Sequence, residues 1–126
     1  MAVIIYGPGG ARDFGLVNLC TSLTGNADTT NTLDRGTRRR PGLLQIVSTV
    51  GATPTVTVNI LGSVDGTNFW NVAYALIGTP TSIVATAITI TTATTNQYVL
   101  ADSPWRFLKV NLSANTNVTL TIDAAA

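Results

Sequence analysis

Six aspartates, six arginines and one lysine are all the formal side-chain charge in this chain, and their spacing bounds its chemistry. Asp13, Asp28, Asp34, Asp65, Asp102 and Asp123 are the only carboxylates, because Glu is absent. Two carboxylates at a defined separation can hydrolyse a glycoside. These six mostly sit beside turn residues, and no spacing among them favours such a pair. The chain has no His, so neither a Ser-His-Asp nor a Cys-His arrangement can form. Cys20 is the sole cysteine, which excludes an internal disulfide and, without His, a zinc site. Gly7-Pro8-Gly9-Gly10 lacks the Lys and the following helix of a phosphate loop. The expectation is therefore a chain that is no enzyme and uses no metal and no cofactor.

Two short segments carry a sharper signal. Arg38, Arg39 and Arg40, with Arg35 close by, form the one charge cluster. Adjacent guanidiniums repel one another, so they favour solvent or an anionic partner, whether carboxylates of another protein or phosphates. Binding of nucleic acid wants a broader basic field with exposed aromatics, and the formal net charge is only +1. Direct nucleic-acid binding is not expected. The nearby acids are only Asp34 and Asp28, so the expected partner of the cluster is a carboxylate-bearing protein surface. The second segment is the turn at Asp65 and Gly66. Gly66 can take φ > 0 freely, and Asp65 can hydrogen-bond the adjacent backbone.

The elements that must position these residues read as strands. Thr occurs 22 times and helix formers are scarce, which favours β structure. Phe14 to Leu23 reads as a first strand with Val17, Leu19 and Leu23 inward and Cys20 facing away or at a rim. Residues 25–42 read as a long polar and basic loop. Leu44, Ile46 and Val50 share one face of a strand that ends at the turn Gly51-Ala52-Thr53-Pro54. Val56, Val58 and Ile60 then alternate with Thr55, Thr57 and Asn59. Phe69 to Tyr74, Ile83 to Thr91 (Val84, Ile88 and Ile90 in phase) and Gln97 to Leu100 are further strands. Arg106 to Leu112 is expected to pair with Val118 to Ile122 as a hairpin across Ser113–Asn117. Seven or eight strands at this spacing predict an all-β antiparallel sandwich of jelly-roll type, one domain over residues 13–126.

Residues 1–12 read as an N-terminal arm. Val3, Ile4, Ile5 and Tyr6 are a compact apolar run before the Gly-Pro-Gly-Gly break. The run is too short for a signal peptide or a membrane span. It either adds to an edge of its own sheet or docks on a neighbour by strand addition. Trp70, Trp105, Phe69, Tyr74, Tyr98 and Phe107 read mostly as core and end plugs, with stacking on sugar rings the alternative for any left exposed. Thr-x-Thr pairs occur at Thr55/Thr57, Thr89/Thr91 and Thr119/Thr121, without the fixed period that a solenoid requires. Charged residues make up 10% of the chain, against about 25% in typical domains. Much of the surface must then be neutral hydroxyl and amide, or be covered by a partner.

The order of strand, Gly62-Ser63-Val64-Asp65-Gly66 turn, aromatic strand and late Trp105-Arg106-Phe107-Leu108-Lys109 strand resembles the small β-sandwich or jelly-roll proteins that decorate tailed-phage capsids, the cement or decoration proteins. The resemblance spans Leu43 to Asp123. It implies a structural virion protein on the outer capsid surface, made in the host cytoplasm. Its partners would be the major capsid protein and itself, as a homo-oligomeric dimer or trimer, with no membrane partner. Val3–Tyr6 and Arg38–Arg40 would be the partner-binding residues. The Asp-Gly hairpin is also similar to that of discoidin-type carbohydrate-binding modules, and a tail or baseplate accessory domain would share the fold.

Overall fold

In the computed structural model, residues 17–35, 42–101 and 105–125 are described, and no helix occurs among them. Nine strands follow in chain order: β1 (Val17–Leu23), β2 (Ala27–Asp28), β3 (Leu33–Asp34), β4 (Leu43–Ser63), β5 (Trp70–Asn71), β6 (Tyr74–Leu76), β7 (Ile88–Ile90), β8 (Thr95–Leu100) and β9 (Phe107–Ala125). They form one antiparallel sheet with the path β1-β9-β4-β8-β6. β2 and β3 also pair with β9, and β5 and β7 with β4. The expected all-β antiparallel class is what forms.

The frame is the long pair β4–β9. The expected turn at Gly51–Pro54 and the expected hairpin at Ser113–Asn117 do not reverse the chain. They lie opposite each other in two paired strands, between the registers Val50↔Val118 and Thr57↔Ser113. Turn-forming residues at matching positions bend both strands together. Four residues on β4 face one on β9 between Val50↔Val118 and Thr55↔Thr116, and the excess then passes to β9. Thr53, Ala114 and Asn117 all take positive φ there, a region costly for side chains with a Cβ. Asn side chains hold the bend: Asn117 Nδ2 donates to the Ala52 carbonyl at 2.6 Å. Asn115 accepts from the Val118 amide and donates to the Val118 carbonyl.

Period-two alternation builds the core from both sides of the bend. Leu44, Ile46, Val56, Val58 and Ile60 of β4 and Leu108, Val110, Leu112, Val118, Leu120, Ile122 and Ala124 of β9 are buried in a single cluster. Each fully buried aliphatic side chain of this kind contributes about 1.5–3 kcal/mol of transfer free energy. Val50, expected inward, is exposed because it lies at the bend.

Two edges differ from expectation. Cys20 is buried, not at a rim. The register steps from Asn18↔Asp123 to Cys20↔Ile122, so Leu19 is an extra residue in the ladder, and consecutive Leu19 and Cys20 both face inward. Residues 25–35, expected as loop, are laid along β9 by β2 and β3, with Thr29, Leu33 and Arg35 buried. Of the expected strand Ile83–Thr91 only β7 forms, and Val84 is exposed on an isolated bridge to Tyr74.

Candidate functional site

The Asp65-Gly66 turn forms as read. Gly66 has φ 80°. Asp65 Oδ1 accepts from the Thr67 and Asn68 amides, each at 2.8 Å, and from the Ser63 hydroxyl at 2.8 Å. Its Oδ2 accepts from Asn68 Nδ2 at 2.9 Å. The Ser63 hydroxyl oxygen takes the Gly66 amide at 2.9 Å. These donors, the Asn68 and Thr67 amides first, hold the Asp65 carboxyl well below the usual carboxylate range although it is exposed. The carboxylate is therefore a structural knot, with its oxygens committed to its own loop.

Beside this turn the outward residues of β9 meet β2 and β3 in a charged and aromatic strip. Lys109 Nζ lies 2.8 Å from Asp28 and 4.1 Å from the centre of the Phe69 ring. Asp28 also accepts from Asn111 Nδ2 at 2.8 Å. The Lys109 hydrogen bond, then that of Asn111, lowers the Asp28 pKa. Arg106 grips Asp34 with two nitrogens, at 2.8 and 3.1 Å, and lies 5.0 Å from the Phe107 ring centre.

At the end of the strip, Arg35 is a buried cation. Its guanidinium carbon lies 3.6 Å from the Trp105 ring centre, and its Nε donates to the Trp105 carbonyl at 2.7 Å. A desolvated stack of this kind is worth about 2 kcal/mol. Trp105 is fully buried, and its indole N–H donates to the Ala101 carbonyl at 3.2 Å. Gly42 packs on the same ring: a Cβ there would lie 3.0 Å from Trp105 Cζ2. The Gly42 carbonyl takes the Leu100 amide at 2.8 Å. Arg35 and Gly42 thus anchor both stems of the segment that carries Arg38–Arg40 to one tryptophan.

Of the residues singled out by sequence, Asp65 and Gly66 are described, while Val3–Tyr6 and Arg38–Arg40 lie outside the described residues. The Arg35–Trp105 stack and the Asp28–Lys109–Phe69 group escaped the sequence reading. The signal for the second was that Lys109 and Asn111 share an outer face with Phe107 by alternation. A second feature it missed is apolar: Leu76, Ile77, Ile83 and Val84 are all exposed around β6.

No family model and no curated protein matches the chain. A solved structure does: the SPBc2 prophage-derived protein YomS, with a TM-score of 0.62 and 11% sequence identity, covering 98% of each chain. At that identity the likeness shows a shared fold over the whole length.

Proposed function

We propose that this chain is a structural virion protein that binds the outer surface of a tailed-phage capsid and stabilises contacts between major capsid protein subunits. The observation that carries the reading is the full-length likeness in fold to a prophage-derived protein. The sequence resemblance to capsid cement proteins points the same way. The finer architecture proposed is a two-layer sandwich of jelly-roll type, since the sheet bends in mid-strand and its two limbs share one apolar core. The physical task is added contact area across subunit joints under outward pressure from packed DNA. The protein acts as a homo-oligomer on the shell after synthesis in the host cytoplasm. The proposal needs no catalysis, cofactor, metal, membrane or direct contact with nucleic acid.

Two segments make the contacts in this reading. Val3, Ile4, Ile5 and Tyr6 dock on a neighbour, and burying four such side chains could supply several kcal/mol at ~25 cal/mol per Å² before ordering costs. Arg38, Arg39 and Arg40 face carboxylates of the shell or of a sister subunit from a segment with both stems anchored at Trp105. The test adds purified protein to undecorated shells and measures occupancy against salt. Changing all three arginines to Ser should weaken binding, reduce its salt sensitivity and leave the melting temperature nearly unchanged. Deleting residues 1–7 should lower occupancy with the sheet still folded. Failure of the parent chain to bind shells overturns the reading.

One observation favours a second reading, a carbohydrate-binding or adhesion module: Trp70 is 39% exposed beside the Asp65-Gly66 turn. Glycan-array binding lost in Trp70→Ala, with no shell binding by the parent, would select it.

A further inference from the structure

Where β4 and β9 bend together, the molecule has a cavity of about 350 Å³. Three strands line it in register. Thr49↔Thr119 and Val50↔Val118 are the last paired rungs before the bend. Leu23 pairs with Leu120 at the end of β1, which brings the next residue, Thr24, to the same cavity. On the bend itself, Gly51 and Asn117 complete the lining. A Cβ added at Gly51 would lie 3.3 Å from the Asn117 Cβ, so a glycine lets the two strands approach here. Val118 is buried and Val50 is 38% exposed, so part of the lining is apolar.

The polar groups of the lining are left open. Among the described residues the hydroxyls of Thr24, Thr49 and Thr119 form no hydrogen bond. The hydroxyl of nearby Thr121, outside the cavity, takes the Ser22 amide at 3.1 Å. Asn117 commits its Nδ2 to the Ala52 carbonyl at 2.6 Å. That bond fixes the plane of the amide, and its Oδ1 accepts from no group among the described residues. Each hydroxyl can donate one hydrogen bond and accept two, and the amide oxygen can accept two.

The backbone around the cavity is strained. Thr53, Ala114 and Asn117 on the bend, and Ser22 at the end of β1, have φ between 45° and 54°. Such conformations persist where the surrounding structure over-determines them, and they cluster at ligand clamps. The bend thus carries an unfavourable backbone at the place where the open polar groups converge.

The chemistry of the lining selects the ligand. The volume falls within the range of small-molecule sites, about 300–1,000 Å³. Phosphate would meet no cation among the lining residues, and a metal ion no carboxylate. A wholly apolar molecule would bury the threonine hydroxyls unpaired, which costs free energy. A ring with hydroxyls on its edge and C–H groups on its face meets both the threonines and the valines. We propose that this cavity binds one neutral sugar unit, its hydroxyls bonded to Thr24, Thr49, Thr119 and Asn117 Oδ1 and its C–H face on Val50. A free sugar and the end unit of a longer glycan offer the same chemistry. The site is separate from Trp70, which pairs with Gly62 on the other limb of β4. It stands or falls independently of capsid binding.

The test titrates the ¹⁵N-labelled full chain with glucose, galactose, mannose and N-acetylglucosamine, each to about 50 mM, and follows the backbone amides by NMR. At least one sugar should shift the amides of Val50, Gly51, Asn117, Val118 and Thr119 saturably, with a Kd of about 1–10 mM. Its methyl glycoside distinguishes the sources: retained binding assigns the site to a glycan end, and loss assigns it to the free sugar. Thr49→Val with Thr119→Val keeps β-branched side chains in both strands and removes two hydroxyls. It should weaken binding at least ~tenfold with unchanged far-UV circular dichroism. Thr24→Val, outside the paired rungs, gives the same reading if the double variant does not fold. Trp70→Ala should bind as the parent does. The absence of saturable shifts with all four sugars overturns the proposal. So do shifts centred on Trp70, threonine variants that bind as the parent does, or saturation of the same amides by inorganic phosphate alone.

Discussion

The two sides of this sheet are built from different forces. On the β2–β3–β9 side, cations of β9 and the adjoining segment are each satisfied by a named group. Arg106 is held by Asp34, Lys109 by Asp28 and Phe69, and Arg35 by the Trp105 ring and carbonyl. On the β6–β8 side the contacts are backbone bonds, hydroxyls and rings. Ser48 Oγ donates to the Thr92 carbonyl at 2.8 Å and accepts the Thr94 amide at 3.0 Å. Tyr74 and Tyr98 meet edge to face at 5.5 Å. The charged side pairs its polar groups internally, with geometry that fixes loops. The neutral side leaves Leu43, Ile77 and Ile83 exposed. The first arrangement uses charge to fix described loops; the second leaves apolar side chains exposed.

The largest test of this contrast removes the anchor of the charged side. Trp105→Ala deletes a fully buried ring and also releases Arg35 and Gly42 from their shared support. The loss should be about 3–5 kcal/mol in urea denaturation, as for other buried large-to-small changes. A loss under about 1 kcal/mol would mean that the ring does not organise this end of the molecule.

Next in size is Gly66→Val. A Cβ at Gly66 meets only ordinary contacts, 3.4 Å from the Phe107 ring at the nearest. Crowding is therefore not the obstacle. The obstacle is the φ of 80°, where a β-branched residue should cost on the order of 1–2 kcal/mol. An unchanged denaturation midpoint would count against the observed turn geometry in solution.

The local features were legible in the sequence and the long-range ones were not. The Asp65-Gly66 turn closes within six residues, Ser63 to Asn68, so its chemistry is contained in those residues. The inward ranks Val56-Val58-Ile60 and Leu108-Val110-Leu112 follow from period two alone. The bend was misread as two chain reversals because each turn-like segment was judged by itself. What decides the outcome is that Gly51–Pro54 lies opposite Asn117, a register set by the whole of β4 and β9. Cys20 was misassigned for the same reason: its bulge exists only against Ile122 and Asp123. The Arg35–Trp105 bond joins residues 70 apart, and no local pattern announces it. The low charge content is legible in composition, and the phase of Val84 with Ile88 and Ile90 predicts one strand over Ile83 to Thr91. The chain instead leaves that strand to bridge Tyr74.

The smallest effect separates the two sides by their response to solution conditions. Asp28 is held below its ordinary pKa, first by its bond from Lys109. A carboxyl with a depressed folded-state pKa contributes stability that is fully present well above the unfolded value of about 3.9 and is lost as pH falls through the folded value. The pair is half-exposed, with side-chain exposures of 22% for Lys109 and 44% for Asp28. Its coupling should therefore be only about 0–1 kcal/mol and screened by salt. A double-mutant cycle of Asp28→Asn and Lys109→Met should return that small coupling at pH 7 in low salt. It should shrink in about 1 M NaCl, where the Debye length is about 3 Å, and again in acid, as pH falls below the ordinary carboxylate range and Asp28 takes up its proton. The matching cycle on the neutral side, Gln45→Leu with Gln97→Leu, should return a coupling that neither salt nor acid moves, because no charge takes part. If both cycles respond alike to salt, the division of this molecule into a charged and a neutral side has no energetic content.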